Sequence, residues 1–518
     1  MHSFSLVKFK NHQMKIKNAF LFAAISVGFM ACESDDNDCC VDVVDQQIQF
    51  EHLTTIVAGG TTEISAFDPS TKKLFTVNPD LDAVMVYDLT DPSKPIEGGM
   101  IDVSATGTPN SVSISDKQLA IAVEATNKQA NGSVLVFDTN TNALLQNYTV
   151  GALPDMVIFS PDGKYILTAN EGEPSSDYLS DPNGSISIIE VSAGVVTTLS
   201  FEAFENQLGA LREKGFRVFG PGATLAQDVE PEYVAISDDS KTAWVSLQEN
   251  NAMAKVNLVT KQIESIHPFG FKDHMLNENM LDASNRDGVT ELKNWPVHGI
   301  YLPDAIKYAN VNGTGYLITA NEGDSRDYDG FSEETRVEDL VLDATAFADA
   351  ASLQAEENLG RLKTTTTMGD IDGDGDYDKI YAYGARSFSV WSITGDLIYD
   401  SGSAIAQIVL DQTPDSFNAD QDEVDGRSDD KGAEPESVEV LKIGEKTMLF
   451  VGLERNSQVM VFDFSNPASP EFLQILEHAG DHAPEGVLAI AAADSPNEKD
   501  LLVVTNEDSG TISIYQNQ

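Results

Sequence analysis

The sequence predicts an all-β protein folded as a seven-bladed β-propeller with long loop insertions, and three observations carry that reading. The first is a repeat. A Pro-acid or Pro-amide pair opens an apolar strand, and a second strand then ends on Glu. The pairs are Pro109-Asn110 with Glu124, Pro154-Asp155 with Glu171, Pro231-Glu232 with Glu249, Pro303-Asp304 with Glu322, Pro435-Glu436 with Glu454, and Pro484-Glu485 with Glu507. A degenerate first copy has Glu63 before ISAFD and a second strand, LFTVN, ending on Asn78, which makes seven units rather than six or eight. Self-similarity at a fixed unit size marks a repeat architecture, and strand-rich units punctuated by turns mark a propeller. The second observation is turn chemistry: SPDGK at Ser160, DPNG at Asp181 and NPASP at Asn466 carry the residues that tight turns need. The third is a missing strand. The last unit holds GVLAIAA, DLLVVTN and TISIYQ and then stops, one strand short.

The elements follow in chain order. Lys15 and Lys17 precede an apolar run from Ala19 to Met30, which ends in Phe29-Met30-Ala31-Cys32. A short basic region, a short apolar region and a small residue before the cut describe a secretory signal, not a spanning helix. Cys directly after the cut resembles a bacterial lipoprotein box with Cys32 as the lipidated residue. Residues 1–31 are therefore expected to be a lipoprotein signal peptide, with Met14 the more natural start, and residues 32–47 an acidic tether. The ESDDND that follows Cys32 resembles the signal that sends Bacteroidetes lipoproteins to the cell surface, so the expected location is the outer membrane, facing outward. No other stretch is long or apolar enough to span a bilayer.

The propeller is expected over residues 48–518. IQFEHLTTIV, ahead of the first unit, is expected to complete the last blade and leave no long exposed edge. In the third unit, MVIFS, KYILTAN, SISIIEV and VVTTLSF read as four strands; SVEVL, TMLFVGL, QVMVFDF and EFLQIL repeat them in the sixth. Three insertions interrupt the blades, near 201–230, 267–300 and 324–378, the last with a helix-like DATAFADAASLQAEENLGRL. Long loops on a rigid scaffold are where function concentrates. Much of the scarce positive charge is there, at Arg212, Arg217, Arg286, Arg326, Arg336 and Arg361. Arg326 and Arg336 are the candidates to contact an anionic group of a ligand.

Composition excludes some classes. Cys39 and Cys40, the only cysteines after Cys32, lie in the tether, so no disulfide framework holds the fold. Strand pairing and a large core must do so. The charge is extreme, 32 Lys and Arg against 83 Asp and Glu; loss of a leader carrying Lys8, Lys10, Lys15 and Lys17 takes the net from −51 to −55. Such a field repels nucleic acid and concentrates cations, which excludes a nucleic-acid partner.

The arrangement of the acids says more than their number. In a propeller the first strand of each blade lines the axis. Asp155, Glu232, Asp304, Glu436 and Glu485 are thus expected near the axis, with Glu171, Glu249, Glu322, Glu454 and Glu507 as a second set close by. Like charges around one opening cannot all stay ionised without compensation. Either backbone N–H groups of neighbouring blades compensate them or a divalent cation does. A separate metal signal lies in the third insertion. Asp370, Asp372, Asp374, Asp376 and Asp378 alternate around Gly373 and Gly375, the front half of a calcium loop. Tyr381 stands where a helix-flanked loop would have its bidentate Glu, so a free-standing extracellular Ca²⁺ loop is expected.

Several long strings carry a resemblance: NEGEPSSDY, AQDVEPEYVAIS, ANEGDSRDYDGFSEETRV, GDIDGDGDYDKIYAYGARSFSVW and DDKGAEPESVEV. They resemble the choice-of-anchor I propeller family, which includes mesenchyme-specific cell-surface glycoproteins and is similar in architecture to YVTN/WD40-like propellers. The resemblance implies a secreted or surface-anchored propeller. Some family members carry the name alkaline phosphatase, yet the histidines here are scattered and no GxSxG or Walker loop occurs. In the sixth unit, GLERNSQVMVFD lacks the Gly pair the family pattern has after Glu-Arg. The expectation is a surface binding protein that takes calcium and an unidentified extracellular ligand. A calcium-dependent phosphoesterase of alkaline phosphatase or phytase type is the alternative, and a redox propeller or lyase a third.

Overall fold

The computed structural model describes residues 48–420 and 423–518. The expected signal peptide and tether, Cys32 included, lie outside the described residues. Seven four-stranded antiparallel sheets form the body. Their first strands are Ser65–Asp68, Gly107–Ser115, Pro154–Phe159, Pro231–Ile236, Ile306–Val311, Pro435–Ile443 and Pro484–Ile490. Each packs against the next, and the seventh returns to the first. That cyclic order makes a closed seven-bladed propeller with its axis among the first strands.

Neighbouring blades bury both faces of each sheet, so the strands read as continuous apolar runs rather than alternating ones. Val157 and Ile166 of blade 3 meet Ala122 and Val136 of blade 2, while Leu167 and Ile188 pack on Val245 and Ala254 of blade 4. The Asn that precedes the terminal Glu in several blades has a structural task. Asn170 Nδ2 donates to Ser185 and Ser187, and Asn321 Nδ2 donates to Ser387 and Ser389. Thr168 and Thr319 donate to the Oδ1 atoms of the same asparagines. Each Asn therefore ties the end of the second strand to the third at full burial.

The last blade draws on both ends of the propeller. Phe50–Val57 pairs antiparallel with Thr511–Asn517, from Phe50 opposite Asn517 to Val57 opposite Thr511. Phe50 is buried edge-to-face against Phe450 of blade 6, with ring centroids 5.2 Å apart. Gln474, on the outer strand of blade 6, clamps the Phe50 backbone by accepting from its N–H at 2.9 Å and donating to its C=O at 2.9 Å.

Two corrections concern the insertions. The Ala-rich stretch of the third forms a helix only over Ala350–Leu353. Asp343 Oδ1 captures the N–H groups of Thr345 and Ala346 as a turn, and the chain turns again at Gly360. The second and third insertions share one small sheet, Phe271–Asp273, Val297–Ile300 and Ile380–Tyr383, over a core that includes Leu281, Val337, Phe347 and Leu359. A fourth insertion, residues 401–434, carries the helix Ala404–Gln412 and went unmarked because it has no repeat signal of its own.

Because closure depends on Phe50, Phe50→Ala should destabilise the protein by about 3–5 kcal/mol, the range for a large aromatic removed from a core. Gln474→Ala should cost about 1–3 kcal/mol through two backbone groups left unpaired. Denaturant titration of both variants checks this, with Phe50→Ala the larger loss.

Candidate metal centre

Local backbone geometry delivers the acids to the axis. The first strand is irregular just after its proline: register shifts between Pro154 and Val157, Pro231 and Val234, Pro435 and Val438, and Pro484 and Gly486. The residue before the proline is left-handed in four blades, at Leu153 (φ 47°), Leu302 (φ 42°), Glu434 (φ 52°) and Ala483 (φ 58°). Non-glycine residues pay steric strain there, and such strain clusters at functional sites. The strained carbonyls are used. Leu153 O accepts from Glu171 N at 2.9 Å, Glu434 O from Glu454 N at 2.9 Å and Ala483 O from Glu507 N at 2.7 Å. In blade 5, Leu302 O accepts from Gly323 N at 3.1 Å instead. In blades 3, 6 and 7 the bond holds the second-strand Glu beside the Pro-acid pair, and in blade 3 both acids, Asp155 and Glu171, line one opening.

The opening is a cavity of about 310 Å³ lined by Glu63, Glu124, Asp155, Glu171, Glu173, Asp304 and Glu485, with Lys128 as its one lining cation. Lys128 lies 3.5 Å from Glu124. Tyr233, Ile64, Ser111 and Met156 also border a second axial cavity of about 230 Å³, whose walls include Val112, Val157, Leu488 and the Lys307–Glu439 pair. The axis is therefore acidic on one side of Tyr233 and largely apolar on the other.

The carboxylates are close and short of partners. Ligand oxygens of Asp155, Glu171 and Glu232 lie within 4.8 Å of one another, as do those of Glu322, Glu434 and Glu454. Glu171, Glu232, Glu249 and Glu436 are no more than 9% exposed. Among the described residues, Glu249 Oε2, Glu436 Oε2 and the cavity-lining Ser111 and Ser437 hydroxyls are buried with no hydrogen-bond partner. Burial first, and neighbouring carboxylates second, push Asp155 up to about 7 and Glu63 up to about 8. Burial lifts Glu249 to about 7 and Glu454 to about 8, with Glu434 adding to the second. Glu171, Glu232, Asp304, Glu436 and Glu485 are raised well above the carboxylate range for the same two reasons. Glu507 is raised by burial and by Asp508.

Two readings of the arginines need correction. Arg326 is buried and saturated: its guanidinium bonds Asp228 Oδ1 at 2.7 Å and Glu230 Oε1 at 2.9 Å. It lies 4.6 Å over the Phe219 ring, which Arg217 also covers at 4.2 Å while pairing with Glu333. Arg336 bonds Asp429 at 2.8 Å and the Arg361 carbonyl. All three guanidinium nitrogens of Arg326 are thus engaged, and Arg336 is already engaged through Nη1 with Asp429. The cations beside the ring are instead Lys431, Arg427 and Arg455. Lys431 and Arg427 come from the fourth insertion, and Arg455 directly follows Glu454. Against burial, Lys431, Arg427 and Arg455 pull Glu434 down to about 2.

The aspartate loop stands apart on the surface. Asp370, Asp372 and Asp374 have ligand oxygens within 4.8 Å of one another. Asp370 accepts from Gly373 N at 2.7 Å and Gly375 N at 3.1 Å, and Asp378 accepts from Ile371 N at 2.9 Å. Asp376 donates its N–H to Asp374 at 3.1 Å. Both glycines have positive φ, which lets the loop curl around its own carboxylates. The like charge of Asp374, chiefly, raises Asp372.

The family model for the choice-of-anchor I domain matches residues 63–467, and the chain belongs to that family. Over 189 residues, 32% of this chain, it is 34% identical to Gigasin-3a of Magallana gigas and spans 66% of that protein. Over 368 residues, 62% of this chain, it is 25% identical to the mesenchyme-specific cell surface glycoprotein of Strongylocentrotus purpuratus and spans 46% of it. The chain thus spans less than two thirds of either curated relative. Among solved structures, hydrazine synthase of Kuenenia stuttgartiensis aligns at TM-score 0.49 and 13% identity over 90% of this chain and 97% of that one. The Swd1 β-propeller domain of Myceliophteria thermophila aligns at TM-score 0.45 and 8% identity over 90% and 99%. No helix among the described residues is long and apolar enough to cross a membrane.

The raised acids fix a pH dependence. Asp155 and Glu249 near 7, and Glu63 and Glu454 near 8, hold protons in the folded state that the unfolded chain has released by about pH 5. The folded state binds more protons through that window, so stability falls as pH rises and is lowest above pH 8. In chelator, the melting temperature should drop between pH 6.5 and 8.5, on the order of 5 °C. A thermal melt series checks this; a flat or rising profile would refute the electrostatic description of the axis.

Proposed function

We propose that this member of the choice-of-anchor I family is a surface lipoprotein, held by a lipid on Cys32. Its propeller axis binds calcium and, through it, an anionic or polyhydroxylated extracellular ligand. The observation that carries the reading is the axial cavity, which Asp155 and Glu171 line with one lining cation, Lys128, and with the partnerless Ser111 and Ser437 hydroxyls, while Glu232 brings a third carboxylate within 4.8 Å of theirs. A hard cation takes six to eight oxygens and neutralises what the protein leaves unneutralised. Asp155, Glu171 and Glu232 would supply carboxylate ligands, and cavity water or the ligand the remainder. Backbone compensation is incomplete, since one buried oxygen of each of the axial Glu249 and Glu436 has no hydrogen-bond partner.

The surface loop Asp370–Asp378 is a second calcium position, its aspartates already curled by backbone N–H groups. Surface location is supported by family membership and by the likeness to a protein named a cell surface glycoprotein. A binding role is favoured over a phosphoesterase. Each guanidinium beside the ring is already bonded to a carboxylate, which leaves none positioned for a phosphoryl group.

Calcium should raise the melting temperature, since a ligand held only by the folded state stabilises it by about 2.7 kcal/mol at a hundredfold excess over Kd. Asp155→Asn with Glu232→Gln should remove the axial part of that rise and also raise the melting temperature in chelator by relieving repulsion. Asp372→Ala with Asp374→Ala should remove the loop part alone. Calorimetry of the wild type and the two double variants, with and without calcium, separates the two positions; an axial variant that keeps the full calcium shift would rule out the axial site.

Anchoring has its own test. Cys32→Ala should move the protein from the detergent-extracted membrane fraction to the soluble fraction with its melting curve unchanged. Continued partition with membranes would overturn lipidation at Cys32.

A further inference from the structure

The axial ring is electrically lopsided. Its two carboxylate triads have the same ligand spacing, with oxygens within 4.8 Å of one another, but different surroundings. Beside Asp155, Glu171 and Glu232 the cation lining the cavity is Lys128, engaged with Glu124 at 3.5 Å. The triad Glu322, Glu434 and Glu454 holds an ammonium. Lys431 Nζ sits 2.6 Å from Glu322 Oε1, 3.3 Å from Glu434 Oε2 and 3.3 Å from Asp324 Oδ1. Lys431 is 8% exposed and reaches this position from the fourth insertion.

We infer that Lys431 is a tethered counter-ion seated in a second cation station, so that the axis accepts one divalent cation, on the Asp155 side. The inference rests on the reading of the axis as a cation site. An ammonium is a compact charge with three donors, and here it meets Glu322, Glu434 and Asp324, the first two being members of the triad whose oxygens are spaced to hold a metal ion. Charge agrees: Lys431, Arg427 and Arg455 together hold Glu434 ionised, and removing the lysine takes one positive charge from beside it. A covalently tethered cation also loses no translational freedom on binding, so it outcompetes a dissolved ion for the same station. The open station has its own independent mark: the buried hydroxyls of Ser111 and Ser437 line the cavity beside Asp155 without partners.

The test counts bound calcium by equilibrium dialysis in a parent lacking the surface loop site (Asp372→Ala, Asp374→Ala). The parent should bind one ion, Lys431→Met in that parent two, and Lys431→Arg one. A folded Lys431→Met variant that gains no ion would overturn the inference. If Lys431→Met does not fold, a crystal of the parent grown with terbium decides by anomalous scattering. An ion beside Asp155, with Lys431 still seated, upholds the inference; an ion among Glu322, Glu434 and Glu454 overturns it. Failure of the underlying reading looks different: a parent that binds no ion, and a Lys431→Met variant that binds one, would remove the open station while leaving Lys431 as the counter-ion of the other.

Discussion

Mutual repulsion of carboxylates around a shared axis is the constraint on which the rest of this structure depends. A seven-fold repeat has no means of varying the chemistry of equivalent positions except by substitution, so a motif that ends in Pro-Asp or Pro-Glu sends an acid to the same place from most blades. Closing the ring makes this unavoidable, because the first strands pack against one another in cyclic order. Burial then raises the cost of each charge, and in four blades a strained residue before the proline holds the acid where it is.

The insertions read as responses to that constraint. Arg326 crosses from the third insertion to Asp228 and Glu230, and Arg217 leaves the first to pair with Glu333. Lys431 and Arg427 enter from the fourth to hold Glu322 and Glu434. Buried pairs of this kind contribute little net stability, since desolvation offsets much of the Coulomb gain, but removing one partner leaves a buried charge and is costly. The insertions and the axis are therefore coupled: the loops are ordered by charges that the repeat creates. No insertion supplies comparable charge to Asp155, Glu171 and Glu232, and that is the reason the axis has an open side.

How much of this the sequence revealed follows from the range of each signal. The blades were legible because turns, apolar runs and the repeat are local, and the axial acids because the repeat assigns equivalent positions to one place. The purpose of the Asn in TANE was not legible; its partners Ser185 and Ser187 lie on the following strand and carry no distinguishing pattern. Arg326 and Arg336 stand out in the sequence as candidate anion contacts because their partners are remote, Asp228 being 98 residues from Arg326 and Asp429 93 residues from Arg336. Ion pairing at that range leaves no trace in local composition. Lys431 was hidden in the same way: it stands four residues before Pro435-Glu436, inside DDKGAEPE, where an acidic neighbourhood masks one base.

The two proposed cation positions differ in what each would ask of an ion. At the exposed loop, Asp370 and Asp378 already spend oxygens on backbone N–H groups, and solvent screens what remains. An ion there gains little per contact and exchanges easily, so the loop answers to bulk concentration. On the axis the carboxylates are buried, raised in pKa and partly protonated near neutral pH. An ion entering there must displace protons and shed water, but it meets unscreened charge in return. Rigid first strands fix the spacing of Asp155 and Glu232, whereas the glycines of the loop let its aspartates adjust. If both positions take an ion as proposed, selectivity by size would belong to the axis, and the loop would discriminate weakly. A ligand recognised through a bound ion would accordingly be recognised at the mouth of the axial cavity, where the ion is held in one place and the blades present a rigid rim around it.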